Sequence, residues 1–267
     1  MTYPADSSLT QEWRHLLRYR ELLRSLIAKD LKVKYRGSYL GFLWSLLNPL
    51  ALIVVYSLVL KVIMGVREIE PLMVIAGIIP WVFFANTITN STESIISNAN
   101  LVKQIFFPRE ILPLSTVLFH FIQFLLAFAV FLPAVMFFKG GRLPWTLAYY
   151  PLILVLHWTF TAGAALFLSA ATTFYKDIRY LTEVAIMMVF WATPILYTYP
   201  MVASKDLAWL FWFNPLSPFF FSYQNVVHFE QPPRPEHLIA MLFWSILMLV
   251  LGTAVFRKTR DRFAEEL

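Results

Sequence analysis

Long apolar runs divide this sequence and limit what it can fold into. They lie at residues 38–64, 72–92, 112–138, 147–173, 181–199 and 238–256. A bilayer core about 30 Å thick requires about 20 apolar residues in each helix that crosses it. With 59% apolar and only 14% charged residues, the chain also lies far outside the usual composition of soluble proteins. The sequence therefore predicts an all-α integral membrane protein with six transmembrane helices.

The basic residues indicate how these spans are oriented. If the N-terminal segment is cytoplasmic, sixteen of the 22 Lys and Arg residues fall on the cytoplasmic side and six on the other. The positive-inside rule then predicts that both termini are cytoplasmic. This topology accounts for the net charge of +6, so nucleic-acid binding is not predicted. The first apolar run is too long to be a signal peptide.

The predicted organisation has three parts. Residues 1–37 form a cytoplasmic segment, residues 38–256 the six-helix transmembrane domain, and residues 257–267 a basic cytoplasmic tail. Within the first part, residues 9–36 have the period of an amphipathic helix with one basic face. Such a helix is either a membrane-surface anchor or a gate beside a substrate entrance. Its apolar face consists of Trp13, Leu16, Leu23, Ile27 and Leu31.

Two cytoplasmic connectors carry residues that could contact a partner. Residues 95–108 are half apolar, so they form either a short helix that docks in a groove of a cytoplasmic protein or one that lies on the membrane surface. The candidate contact residues are Leu101, Lys103, Ile105, Phe106, Pro108, Arg109 and Glu110. The second connector places Lys176, Asp177 and Arg179 at the mouths of spans four and five, where they could pair with each other or face a partner.

Between spans five and six, residues 205–230 include a mostly apolar stretch that is too short to cross a membrane. Pro215 and Pro218 interrupt it. Broken backbone at membrane depth requires protein or a water-filled cavity to satisfy its polar groups. The segment is therefore interpreted as a re-entrant or an interfacial hairpin. In the first case it lines or covers a cavity, and in the second it rests among lipid headgroups.

Aromatic residues make up 17% of the chain, and some share helical faces inside the predicted spans. Aromatic faces offer large contact areas with little specificity, which suits a polymer that must slide. The alternative is the ordinary interfacial belt together with lipid-facing side chains. The residues concerned are Tyr35, Tyr39 and Phe42 in span one, Trp81 and Phe84 in span two, and Phe190 and Tyr197 in span five.

Catalytic signatures are missing from the sequence. It contains no HExxH or GxSxG motif, no metal-spaced cluster and no cysteine, so neither enzymatic catalysis nor a metal site is predicted. A membrane-embedded glycan-processing enzyme would have to use Glu93 and Glu183 as acid and base, without a supporting cluster. Ionisable groups in mid-span are few, which argues against ion-coupled transport. Since there is no GxxxxGK[ST] loop, any ATP that drives transport must bind another polypeptide.

Several segments together resemble a known family, the membrane permeases of ABC transporters that export lipid-linked polysaccharides such as O-antigen, capsule or teichoic acid. The similarity runs over nearly the whole length, and the combination and order of the segments are more specific than any one of them. Lys176 departs from the family, in which Arg is more frequent. The segments that carry the resemblance are residues 29–44 with Asn48 and Pro49, residues 100–114, residues 174–178 and residues 191–197.

The resemblance implies roles for the features above. Residues 95–108 would be a coupling helix that docks on an ATPase, residues 9–36 a gate helix, and the hairpin an outer gate. The permease would form a homodimer in the plasma (inner) membrane with two copies of an ATP-binding subunit, which would hold ATP and magnesium, while this chain holds no cofactor. The seven aromatic residues would line a glycan channel at the dimer interface. A drug or small-lipid exporter of the same plan is the alternative.

Overall fold

The computed structural model describes residues 19–39, 41, 43–66, 70–199, 201 and 213–267, among which there is no β-strand. The α-helices of this part of the chain are α1 (Arg20–Tyr35), α2 (Leu43–Leu58), α3 (Pro71–Thr92), α4 (Ala99–Gln104), α5 (Ile111–Phe138), α6 (Tyr150–Phe174), α7 (Ile178–Ala192), α8 (Ser217–Gln224), α9 (Pro235–Thr259) and α10 (Phe263–Glu266). Short 3-10 or π-helical turns extend several of them, at Val59–Ile63, Ile96–Asn98, Trp145–Tyr149, Asn225–Phe229 and Arg260–Arg262.

Among the described residues, five helical segments are long and apolar enough to cross a membrane. They correspond to the predicted spans one, two, three, four and six. The predicted fifth span, 181–199, contains the 15-residue helix α7, which is about 22 Å long and so shorter than a bilayer core. The five long segments are Leu43–Ile63, Pro71–Thr92, Ile111–Phe138, Trp145–Phe174 and Pro235–Glu266.

Helix α7 ends because a proline follows it. Thr193, the residue before Pro194, has extended backbone angles, as the proline ring favours. The bend that follows stays buried, and protein side chains satisfy its carbonyl groups. Asn214 donates from Nδ2 to the Ala192 carbonyl at 3.0 Å, and Gln224 donates from Nε2 to the Pro194 and Tyr197 carbonyls at 2.8 and 3.1 Å.

The second half of the predicted hairpin is buried in protein. Every residue of α8 is buried, and the helix packs against α3, α6 and α9. Helix α8 therefore lies inside the helical bundle, whereas Phe213 before it is exposed. Residues 205–212 of the predicted hairpin lie outside the described residues.

Helix α3 is the centre of the bundle, since it packs against α2, α5, α6, α7 and α8. Glycine permits its closest contact: a Cβ on Gly77 would lie within 3.0 Å of the Ile195 backbone. A glycine also permits the close approach of α6 and α9, because a Cβ on Gly163 would collide with the backbone of Met248 and Leu249. Membrane helices commonly pack through small residues because lipid provides no hydrophobic drive for their association.

The two ends of the bundle differ in composition. At one end, which we call the basic end, α1 and residues 93–110 meet the connector at 175–179 and residues 257–267. A separate apolar cluster fills this end, made of Leu26, Ile95, Val102, Phe107, Ile111, Leu112, Leu166, Ala170, Phe256 and Phe263. At the opposite end, the Lys139 ammonium lies 3.0 Å from a Glu230 carboxylate oxygen and links the segment after α5 to the segment after α8.

Candidate functional site

Residues 93–110, the basic-end loop, expose one side and bury the other. Helix α4 buries Val102 against the apolar cluster, and the chain then becomes extended at Ile105. This change of backbone direction leaves the Ile105 and Phe106 side chains 55% and 61% exposed, while Phe107 returns to the cluster. Two adjacent apolar side chains thus face outward from an anchored loop.

Three polar contacts attach the basic-end loop to three different elements. Lys29 of α1 donates from Nζ to Asn98 Oδ1 at 3.0 Å. Glu93 forms an ion pair with Arg179, at the start of α7. At the far end of the loop, Glu110 Oε1 accepts a hydrogen bond from Arg260 Nη1 at 2.6 Å. A displacement of the loop would therefore alter its contacts with α1, with α7 and with the segment after α9.

The candidate contact residues of the loop separate into two groups. Lys103, Ile105 and Phe106 are exposed, whereas Pro108 is buried and Leu101, Arg109 and Glu110 are half-buried. Arg109 donates from Nη1 to the carbonyl of Arg260, so its guanidinium is directed into the protein. The exposed surface that a partner could reach is thus smaller than the sequence suggests.

The charges of the second connector are all exposed, and Arg179 has the most contacts among them. Besides its ion pair with Glu93, its Nε lies 3.6 Å from Glu183 Oε1 on the next turn of α7. Glu93 and Glu183 therefore share one guanidinium, an arrangement typical of a surface ion-pair network. Lys176 and Asp177 lie beside it with their side chains in solvent.

Helix α1 packs along α5 with its apolar face. Leu23, Ile27 and Leu31 are half-buried and Leu26 is buried, while Trp13 and Leu16 lie outside the described residues. Lys34 donates from Nζ to Gln123 Oε1 of α5 at 2.7 Å, and partial burial lowers the pKa of this lysine. The helical period from Leu23 could have identified Leu26, but nothing local indicated the contact of Lys34.

The aromatic candidates do not form one continuous surface within the chain. Trp81 and Phe84 are buried, and Phe190 packs on Trp81 with 5.4 Å between ring centroids. Tyr39 is fully exposed, whereas the hydroxyl groups of Tyr35 and Tyr197 are hydrogen-bonded to Ser45 and to the Trp191 carbonyl. Phe42 lies outside the described residues. Trp81, Phe84 and Phe190 are therefore brought together, and the others are separate.

Two residues of the site have no local sequence signal. Arg260 and Phe263 contact the basic-end loop or its apolar cluster from a segment about 150 positions away along the chain. Neither charge spacing nor hydropathy reports such distant pairs. The described residues also contain no group of three or more His, Asp or Glu side chains placed to hold a metal ion.

Comparison with known proteins places these features in a family. The model of the ABC-2 type transporter family matches residues 21–228. An O-antigen export system permease protein RfbA of Klebsiella pneumoniae is 34% identical over 251 residues, which cover 92% of this chain and 95% of the relative. The RfbA permease of Myxococcus xanthus is 30% identical over 257 residues, which cover 95% and 98% of the two chains. This chain therefore belongs to the ABC-2 type transporter family.

Proposed function

We propose that the chain is the permease half of an ATP-driven exporter that carries a lipid-linked polysaccharide across the plasma (inner) membrane. Two relatives that match almost end to end are named as O-antigen export permeases. As a transport subunit the chain does not hydrolyse ATP, and the proposed source of energy is a separate ATP-binding subunit that uses magnesium. Its termini are cytoplasmic in this proposal, so the basic end faces the cytoplasm.

The observation that carries the proposal is the outward pair Ile105 and Phe106 on the anchored basic-end loop. An exposed apolar pair suits a groove on a soluble partner, because burial of the remaining exposed part of each side chain removes apolar surface from water. Lys103 beside them supplies a charge that can set the register of the contact. Since three elements hold the loop, motion of the docked partner would reach the transmembrane helices.

The proposed assembly contains two copies of this chain and two ATP-binding subunits. Helix α2 supports the first half of this statement, because only Pro49 and Ile53 of its residues are buried within one chain, whereas most residues of α3 are buried. Along α7, only Thr182 is buried. These two helices flank the central α3 and offer apolar faces to a second copy, with the glycan path between the copies.

The docking contact can be tested by replacing the outward pair. Ile105→Ala and Phe106→Ala should reduce co-purification of the ATP-binding subunit and polysaccharide export together. The matched control is Phe137→Ala, which removes an even more exposed phenylalanine at the opposite end of the bundle. Normal association in both loop variants would contradict docking through this loop.

The substrate class can be tested in cells that lack their own copy of the permease. Expression of the wild-type chain with its ATP-binding subunit should restore polysaccharide at the cell surface, as measured by gel analysis of extracted glycans. Restored drug tolerance without restored surface polysaccharide would instead favour the small-molecule exporter.

A further inference from the structure

Residues 260–267, which we call the distal segment, fold back against the basic end. They form the 3-10 turn Arg260–Arg262 and helix α10 after α9. Phe263 is 0% exposed, and its ring centroid lies 5.2 Å from that of Phe256 and 5.9 Å from that of Phe174. It belongs to the same apolar cluster as Val102 and Phe107 of the basic-end loop. The distal segment thus forms part of the apolar cluster against which the loop packs.

Arg260 adds a polar contact at the end of that loop. Its guanidinium donates to Glu110, and both side chains are only 13% exposed. Its backbone carbonyl accepts a hydrogen bond from Arg109. One residue therefore binds two consecutive loop residues, through its side chain and its backbone. A largely buried ion pair of this kind fixes a geometry, because either charge alone would be costly to bury.

We propose that the distal segment braces the basic-end loop, with Arg260 and Phe263 as positioning residues for the outward pair Ile105 and Phe106. This inference rests on the proposed function, in which the loop docks on an ATP-binding subunit. Arg260 and Phe263 need not touch that subunit. They act by holding the buried side of the loop so that its exposed side keeps one orientation.

The loop requires such support because it contains too little regular secondary structure to hold its conformation alone. Helix α4 has six residues, far fewer than the roughly 12–15 that an isolated helix needs to be even marginally stable in water. The chain beyond it is extended at Ile105 and has no regular secondary structure from there to Pro108. Its conformation therefore depends on tertiary contacts, and Val102, Phe107 and Glu110 make them with the cluster and the distal segment.

The distal segment is itself held in place by the packing of α9 on α6. The distal segment continues directly from α9, and α9 packs on α6 through the backbone contact of Gly163 with Met248 and Leu249. A helix held at that separation cannot shift sideways without losing the contact. The position of the loop is thus fixed relative to α6 and α9. At the other end of the loop, Glu93 forms an ion pair with α7.

The first experiment measures loop order without any partner. The chain contains no cysteine, so Gln104→Cys gives a single, exposed site for a nitroxide spin label. In purified full-length protein, Arg260→Gln and Phe263→Ala should each increase the mobility of the label, whereas Phe263→Leu should increase it less. The control Lys258→Gln removes one exposed positive charge next to the segment and should leave the spectrum unchanged. An unchanged spectrum in both Arg260→Gln and Phe263→Ala would overturn the brace.

The second experiment links loop order to docking. In the same variants, without the label, co-purification of the co-expressed ATP-binding subunit should fall, and a charge-exchanged protein carrying Glu110→Arg with Arg260→Glu should recover part of it. Higher label mobility with normal association would overturn the positioning role. If Ile105→Ala and Phe106→Ala also left association intact, the docking proposal itself would fail, while the mobility result would still stand. Size-exclusion profiles identify any variant that does not fold, and Phe263→Leu then remains as the milder test.

Discussion

Gly252 and Gly163 lie in direct backbone contact between α9 and α6. A Cβ on Gly252 would come within 3.0 Å of the Gly163 carbonyl, a distance that real Cβ atoms essentially never show. The atoms in the way are backbone, which cannot rotate aside as a long side chain can. The separation of these two helices is therefore set by the absence of side chains at two positions.

Gly252→Leu should push the helices apart and destabilise the protein by about 1–3 kcal/mol, the usual range for overpacking. The matched control is Ala254→Leu on the exposed side of the same helix. For both variants, the thermal unfolding midpoint is measured on detergent-purified protein, with loss of the folded peak monitored by size-exclusion chromatography. Equal midpoints for the two variants would contradict the close approach.

Arg179→Gln should uncouple transport while changing stability little. The ion pairs of Arg179 with Glu93 and Glu183 are between 41% and 49% exposed, and pairs of this kind contribute about 0–1 kcal/mol. Their importance in the proposed mechanism is that they connect the basic-end loop to α7. The ratio of polysaccharide exported to ATP hydrolysed should fall in this variant and stay normal in Lys258→Gln. A normal ratio in Arg179→Gln would remove the connection from the mechanism.

Tyr39→Ala should slow export without lowering stability, because the Tyr39 side chain is fully exposed and packs little within the chain. Trp81→Ala should behave differently, since removal of a buried aromatic ring costs about 3–5 kcal/mol and lowers the amount of folded protein. The comparison requires the export rate and the unfolding midpoint of each variant. Tyr39→Phe, which keeps the ring, serves as the control. Full export by Tyr39→Ala would exclude a glycan contact at this position.

Acidification should weaken the opposite end of the bundle through Glu230. The hydrogen bond from Lys139, reinforced by the charges of Lys139 and Arg142, holds the pKa of Glu230 below its ordinary value of 4.5. A carboxylate with a depressed pKa stabilises the fold fully above that ordinary value and loses this effect as the pH falls through the lower, folded pKa. The difference in unfolding midpoint between wild type and Glu230→Gln should therefore be largest near neutral pH and shrink with acid. His228 titrates in both proteins, so its contribution cancels. A difference independent of pH would show that the Lys139 contact does not depend on charge.

Hydropathy predicted the long helices closely and failed at one place for a physical reason. The predicted runs 72–92 and 112–138 differ from α3 and α5 by a single residue at the start. The run 181–199 is mostly apolar, yet its helix stops at Ala192. Ile195 and Leu196 beyond it are apolar because they are buried in the bend, and hydropathy reports burial without distinguishing a helix from a bend.

The candidate site was predictable only where its contacts are local. The composition of residues 95–108 predicted a short helix with an apolar face for a partner or the membrane surface, and Ile105 and Phe106 are exposed just after the short helix α4. Arg109 and Glu110 appeared equally available from the sequence. Their contacts with Arg260 depend on how the residue pair before α5 and the segment after α9 come together at the basic end, and no spacing rule within one segment contains that information.

The backbone contact between α6 and α9 has a consequence for biosynthesis. Some 88 positions separate Gly163 from Gly252, so α6 leaves the ribosome well before the helix that covers its glycine face exists. During that interval the face must rest against lipid or a chaperone of membrane insertion. The contact between α6 and α9 can form only when translation has reached α9, so the packing of these two helices is a late step of folding.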